Sequence, residues 1–134
     1  MRRKSLTLAA VVLGIVAIAV AAQEPPPARG FKAVHLTNLT SQQVTALQAW
    51  MADMNAVIAK AGHPDIRYRL YKAIGTRAGK YEYMWESSWT SGDIYTKIHN
   101  SPEWKAVAER HPGLDALLKD EIYNRYVEVL PEKR

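Results

Sequence analysis

The sequence predicts a small α+β domain: an antiparallel sheet of four strands with helices packed on one face. Three observations predict it. A capped amphipathic helix lies between short strand-like segments, two aromatic-rich alternating segments are joined by a glycine-containing link, and a Ser-Pro helix start precedes a closing Tyr/Val-rich segment.

The first strand is expected over residues 31–36 (Phe-Lys-Ala-Val-His-Leu). Thr40 and Gln43 then stand at the N-cap and N3 spacing of a capping box. Val44, Leu47, Met51, Met54, Ile58 and Ala61 follow in steps of three and four, which draws one apolar stripe along a helix. Gly62 ends that helix, and His63-Pro64 prevents its continuation. Residues 66–74 and 81–89 alternate at period two, as strands with one buried face do. The link 75–80 has hairpin composition, so the pair is expected to be antiparallel. Within it Ile66, Tyr68, Leu70 and Ile74 share a face, as do Tyr81, Tyr83, Trp85 and Trp89. The opposite face is mixed, and there Arg67 or Arg69 is expected to pair with Glu82 or Glu86. The two glutamates stand i and i+4 on one strand, roughly 13 Å apart and too far to share a proton.

Thr90-Ser91-Gly92-Asp93 opens a short helix through Ile98, and Ser101-Pro102 starts another that His111-Pro112-Gly113 breaks. Leu114, Leu117 and Leu118 suggest a further helical turn, and residues 121–130 a final strand. The order β-α-β-β-α-β is the ferredoxin-like split βαβ pattern.

Ahead of this domain, Met1-Arg2-Arg3-Lys4 and an uncharged, mostly apolar run over 6–22 read as a signal peptide, cleaved after Ala21 or Ala22. The rival reading is a retained anchor, since the run is near the lower length for a spanning helix. Small residues at its end and the polar turn Gln23-Glu24-Pro25 favour cleavage, and no Cys follows for lipid modification. The expected organisation is therefore a signal peptide over 1–22, a proline-rich linker over 23–30 and the domain over 31–134. The protein would be exported, periplasmic or secreted, with no stable membrane anchor after cleavage. Pro25-Pro26-Pro27 is expected to be an extended, solvated spacer.

The formal charge is +5, from 18 basic and 13 acidic residues. Arg2, Arg3 and Lys4 belong to the signal, and without them 15 basic residues face 13 acidic ones. That near-balance gives no case for a nucleic-acid partner. With no Cys, thiol chemistry, iron–sulfur clusters and Cys-based zinc sites are excluded. No pair of histidines has the spacing of a zinc helix, so no metal site is expected.

The run Trp85-Glu86-Ser87, a capped helix, Ser101-Pro102-Glu103-Trp104-Lys105-Ala106 and a last strand resembles the antibiotic-biosynthesis-monooxygenase-like domains of the dimeric α/β-barrel superfamily. The resemblance implies a homodimer whose sheets pack face to face. It also implies a small hydrophobic ligand held between sheet and helices, and chemistry without a tightly bound cofactor. Two departures stand out. The haem-degrading branch has a His where Ala108 stands here, and many members have a His at the position of Ile98, with His99 beside it.

The candidate catalytic residues are His35, inside the first strand, and His99, between two helices, because imidazole titrates near neutral pH. Trp50, Tyr68, Tyr83, Trp85 and Trp89 would form an aromatic wall for a flat ligand, or simply a core of large rings. His63 and His111, each before a proline, read as solvated loop residues. Asn38-Leu39-Thr40 matches a glycosylation acceptor, although Thr40 is better used as a cap. Three functions follow as alternatives: an exported cofactor-independent monooxygenase-like enzyme, an exported ligand-binding or stress-related protein, and a module whose sheet serves association alone.

Overall fold

A computed structural model describes residues 24–75, 77, 79–114 and 122–132. The signal peptide and the helical turn expected around Leu117 and Leu118 lie outside these residues. The elements run β1 (Phe31–Thr37), α1 (Ser41–Lys60), β2 (Arg69–Lys72), β3 (Tyr83–Trp89), α2 (Gly92–His99), α3 (Pro102–Arg110) and β4 (Ile122–Tyr126). They form one four-stranded sheet in the order β2-β3-β1-β4, with every neighbouring pair antiparallel. This is the expected ferredoxin-like arrangement.

The first helix starts as its sequence dictates. Thr40 Oγ1 accepts from the Gln43 amide at 3.2 Å, and Gln43 Oε1 accepts from the Thr40 amide at 2.9 Å. Gly62 takes φ +95°, which lets the His63 amide reach back to Ile58. Leu47, Met51, Met54 and Ile58 bury the predicted stripe, and Trp50 joins them although it stands off that line. Val44 is half-buried and Ala61 exposed, so the stripe meets the sheet along its middle. Ser91 and Ser101 cap α2 and α3, each accepting from the amide three residues on.

The sheet departs from expectation in its second strand, which covers four residues rather than nine. The cause is Asn55 on α1. Its Oδ1 accepts from the Tyr68 amide at 2.7 Å and its Nδ2 donates to the Tyr68 carbonyl at 3.2 Å. The backbone at Tyr68 is thus satisfied by a helix side chain, and Ile66 and Tyr68 enter the core ahead of the strand. At the far end Ile74 is fully exposed, beyond the last ladder bond from Ala73 to Glu82, so it does not share the buried face. Asn38 does for the β2–β3 link what Asn55 does for Tyr68, donating to the Lys80 carbonyl and accepting from the Glu82 amide. With that amide engaged twice and Thr40 capping a helix, the acceptor pattern at Asn38 has a structural role.

The inner sheet face carries Phe31, Ala33, Trp85 and Trp89 into one core with α1, α2 and α3. On the outer face, Val34, Leu36 and Met84 are half-buried, while Tyr71, Ile122 and Tyr126 are exposed. Glu86 lies among them, buried by Lys32 Nζ at 2.6 Å and the Tyr71 hydroxyl at 3.3 Å. The expected arginine pairing is therefore replaced. Glu82 pairs with Lys72 at 3.1 Å, and Arg67 donates to the Pro64 carbonyl instead. Lys32 reaches Glu86 diagonally from β1, while Arg69, which the register sets directly opposite Glu86 on the short edge strand, is exposed.

The linker also differs from a standing-off spacer. Pro26 and Pro27 are half-buried against Gly92, whose missing side chain is what lets them approach: a Cβ there would sit 2.4 Å from the Pro27 carbonyl oxygen. Glu24 offers its carbonyl to Arg125 at 2.6 Å. The segment is a strap across the start of α2.

Candidate functional site

The register aligns a row of side chains across the inner face, Leu70 beside Trp85, Trp85 beside His35, and His35 beside Tyr123. The His35 ring stacks on Trp85 at 3.5 Å with planes 5° apart, and Tyr123 closes its other side at 4.6 Å. Burial lowers the His35 pKa to about 3, so the ring is neutral at pH 7. The Trp85 indole N–H is buried and has no acceptor among the described residues.

His99 ends α2 inside a cage of rings: Tyr95 at 3.7 Å, Trp104 at 4.0 Å and Trp89 at 5.1 Å. Its Nδ1 lies 2.7 Å from the Tyr95 carbonyl. A carbonyl only accepts, so Nδ1 carries the proton and Nε2 keeps its lone pair. Burial, reinforced by the charge of Arg125, lowers the His99 pKa to about 4 against the smaller opposing effect of the Tyr95 carbonyl. A neutral imidazole of that basicity suits accepting a hydrogen bond more than holding a proton. Taking one from a phenol of pKa about 10 would cost on the order of 8 kcal/mol at 1.36 kcal/mol per pKa unit.

The two histidines are joined by rings in contact. Trp50 meets Tyr68 at 5.0 Å, Trp85 at 5.7 Å and Trp104 at 6.2 Å, and Tyr68 reaches Trp85, Trp89 and Trp104. The Trp89 indole donates to Ser87 Oγ at 2.8 Å, a hydroxyl that Tyr68 also engages, and burial pushes the Tyr68 phenol far above its ordinary pKa. Trp50, Tyr68, Trp85 and Trp89 are thus one assembly. Tyr83 is not in it: it is half-buried near the sheet edge, with Lys72 Nζ 5.6 Å from its ring centre.

Sequence reasoning missed Arg125. Tyr123 and Arg125 alternate onto the inner face of β4, so the guanidinium points where an apolar residue is expected. It lies 5.3 to 5.8 Å from the ring centres of Tyr95, Tyr123 and Phe31, and its Nε donates to the Tyr123 hydroxyl at 2.7 Å. The period-two pattern of β4 holds the signal, since Arg125 shares parity with Tyr123 and Val127. His111 is likewise no solvated loop residue: its Nε2 is 2.8 Å from Asp53, which Arg110 also approaches at 3.4 Å.

A groove of about 600 Å³ runs between α1, α2 and α3, past Asp53, Val57, Ile94, Lys97 and Val107. A smaller one of about 250 Å³ lies between Gln42, Ala46 and residues 111–114. Neither is lined by His35, His99 or the aromatic assembly. Among the described residues no three His, Asp or Glu side chains gather as a metal ion requires, and no helix is long and apolar enough to cross a membrane.

No protein-family model matches the chain. No curated protein matches it either. Solved structures do. A dimeric ferredoxin-like protein from Thermobifida fusca YX matches with a TM-score of 0.53 at 16% identity, over 75% of this chain and 92% of the other. A protein assigned as an antibiotic biosynthesis monooxygenase from Caulobacter crescentus CB15 gives 0.53 at 13% identity, over 77% and 92%. A variant of SnoaB, a cofactor-independent oxygenase from Streptomyces nogalater, gives 0.52 at 19% identity, over 78% and 100%. With its sheet order, its helices on one face and these likenesses together, the chain has the ferredoxin-like α+β fold that antibiotic-biosynthesis-monooxygenase-like proteins share.

Proposed function

We propose that the protein is an exported, homodimeric monooxygenase-like enzyme. It acts without a bound cofactor on a small hydrophobic or aromatic compound, beside the rings that join His35 and Tyr123 on the sheet to His99 at the end of α2. The observation that carries this reading is the pair of neutral imidazoles at the two ends of one chain of packed rings. The His99 tautomer is fixed by Tyr95, and its Nε2 is an acceptor. The unpaired Trp85 N–H adds a donor, and leaving it unsatisfied costs about 1–3 kcal/mol that a ligand oxygen would recover. In cofactor-free oxygen chemistry the substrate itself supplies the electrons, so the protein's tasks are to hold a flat molecule and orient its acidic hydrogen.

Oxygen uptake with a panel of phenolic and polycyclic compounds tests the reading. Uptake reduced at least a hundredfold by His99→Ala is expected. Turnover indifferent to both His99→Ala and His35→Ala would place the reaction elsewhere. A second reading, a module whose sheet serves association alone, is favoured by how completely Trp50, Tyr68, Trp85 and Trp89 are buried against one another. It predicts neither uptake nor thermal stabilisation by the same compounds.

The homodimer is supported by the outer sheet face, where Tyr71, Ile122 and Tyr126 are exposed beside half-buried Val34, Leu36 and Met84. Sedimentation of the wild type as a dimer at micromolar concentration, and of Ile122→Glu as a monomer, is the expected result. A wild-type monomer would overturn it. Export rests on the basic and apolar pattern of residues 1–22 and is tested by N-terminal sequencing of the secreted form.

A further inference from the structure

Arg125 is a half-buried cation without a carboxylate partner among the described residues. The Tyr123 hydroxyl holds its guanidinium and three rings surround it, so its position is fixed before any ligand arrives. Its one strong contact outside the rings is Nη1 to the Glu24 carbonyl at 2.6 Å, a neutral acceptor on the strap. The strap is seated by Gly92, where any side chain would collide with the Pro26 and Pro27 carbonyls. Tyr95 touches both Arg125 and His99, so the cation opens onto the same aromatic surface as the imidazole.

We propose that Arg125, with the Tyr95 and Tyr123 hydroxyls, is a carboxylate-binding subsite, and that the strap over residues 24–27 covers it through the Glu24 carbonyl until an aromatic acid displaces it. This rests on the ligand-binding reading of the His99 end and narrows it to aromatic molecules bearing an acidic group. A carboxylate outcompetes a peptide carbonyl here because it is charged and can accept two guanidinium N–H bonds at once. The cost of displacement is modest, since the strap is short, with Glu24 and Pro25 exposed and Pro26 and Pro27 only half-buried.

The test uses the full exported chain with benzoate and its neutral counterpart benzyl alcohol, read by thermal shift and calorimetry. Benzoate is expected to bind at least tenfold more tightly than benzyl alcohol. Arg125→Gln should remove that preference, and Arg125→Lys should restore part of it by keeping the charge without the fork. Gly92→Ala should tighten benzoate at least threefold and speed tryptic cleavage after Arg29, as expected of an unseated strap. Circular dichroism checks that each variant is folded. Equal affinity for the two probes, or a preference surviving Arg125→Gln, would overturn the subsite. Benzyl alcohol binding alone would do so while leaving the aromatic-ligand reading standing. Faster cleavage in Gly92→Ala without tighter benzoate would overturn the strap's part.

Discussion

Replacing Asn55 with Ala should destabilise the protein well beyond an ordinary surface change. The side chain contributes little apolar packing, so the loss is one of hydrogen bonds. It accepts from the Tyr68 amide at 2.7 Å and donates to the Tyr68 carbonyl at 3.2 Å. Tyr68 precedes β2, so no strand ladder takes over these groups. Its side chain is 7% exposed, and water has poor access to the backbone beneath it. Two buried groups left unsatisfied at about 1–3 kcal/mol each give an expected loss of about 2–6 kcal/mol. With a urea slope of about 1–1.5 kcal/mol per molar, the midpoint should fall by roughly 1.5 M or more. Measurements belong at one protein concentration, because the stability of a self-associating chain depends on it. Gln48→Ala, exposed on the same helix, is the control and should shift stability by less than about 0.5 kcal/mol. An Asn55→Ala loss as small as the control's would refute the idea that this clamp replaces strand pairing.

Two further outcomes are expected. Thr40→Ala, which removes the hydroxyl from the capping box, should cost about 1 kcal/mol and lower the melting midpoint by roughly 4–8 °C; an unchanged midpoint would deny the cap its role. The neutral histidines predict a pH dependence of definite sign. Because burial lowers the folded pKa values of His35 to about 3 and His99 to about 4, the unfolded chain binds more protons than the folded one below pH 6.5. Stability should therefore fall as pH drops from 6.5 toward 4, less steeply in His99→Gln, and imidazole NMR shifts of both rings should stay flat between pH 5.5 and 8.

The long helix was fully legible in the sequence because its cap, stripe and stop are local. The strand alternation was legible too, and with it the inward set of Tyr68, Trp85 and Trp89. What escaped depends on contacts between distant segments. Asn55 shortens β2 from across the core, and nothing in residues 66–74 announces it. Lys32, diagonal to Glu86 on β1, meets it although the register sets Arg69 directly opposite. Arg125 goes unnoticed in the sequence, because the rings of Tyr95 and Phe31 that surround it come from distant segments. His35 and His99 were singled out for titrating near neutrality, whereas burial holds both uncharged. Tyr83 has the right parity for the aromatic wall but stands at its margin, where strand position matters more than face.

The strap has a consequence for how the domain would meet a membrane. Three prolines suggest reach, yet Pro26 and Pro27 are folded against α2 and Glu24 is tied to β4. Were residues 1–22 to stay in the bilayer, only Gln23 would separate them from a segment bound to the domain. Arg125, tied to Glu24, would then lie close to the lipid headgroups. Release by a signal peptidase, conversely, needs this stretch extended in the protease groove, so cleavage and docking of the strap compete for the same residues. If residues 1–22 are removed as their pattern predicts, seating of the strap on Gly92 would follow that cleavage.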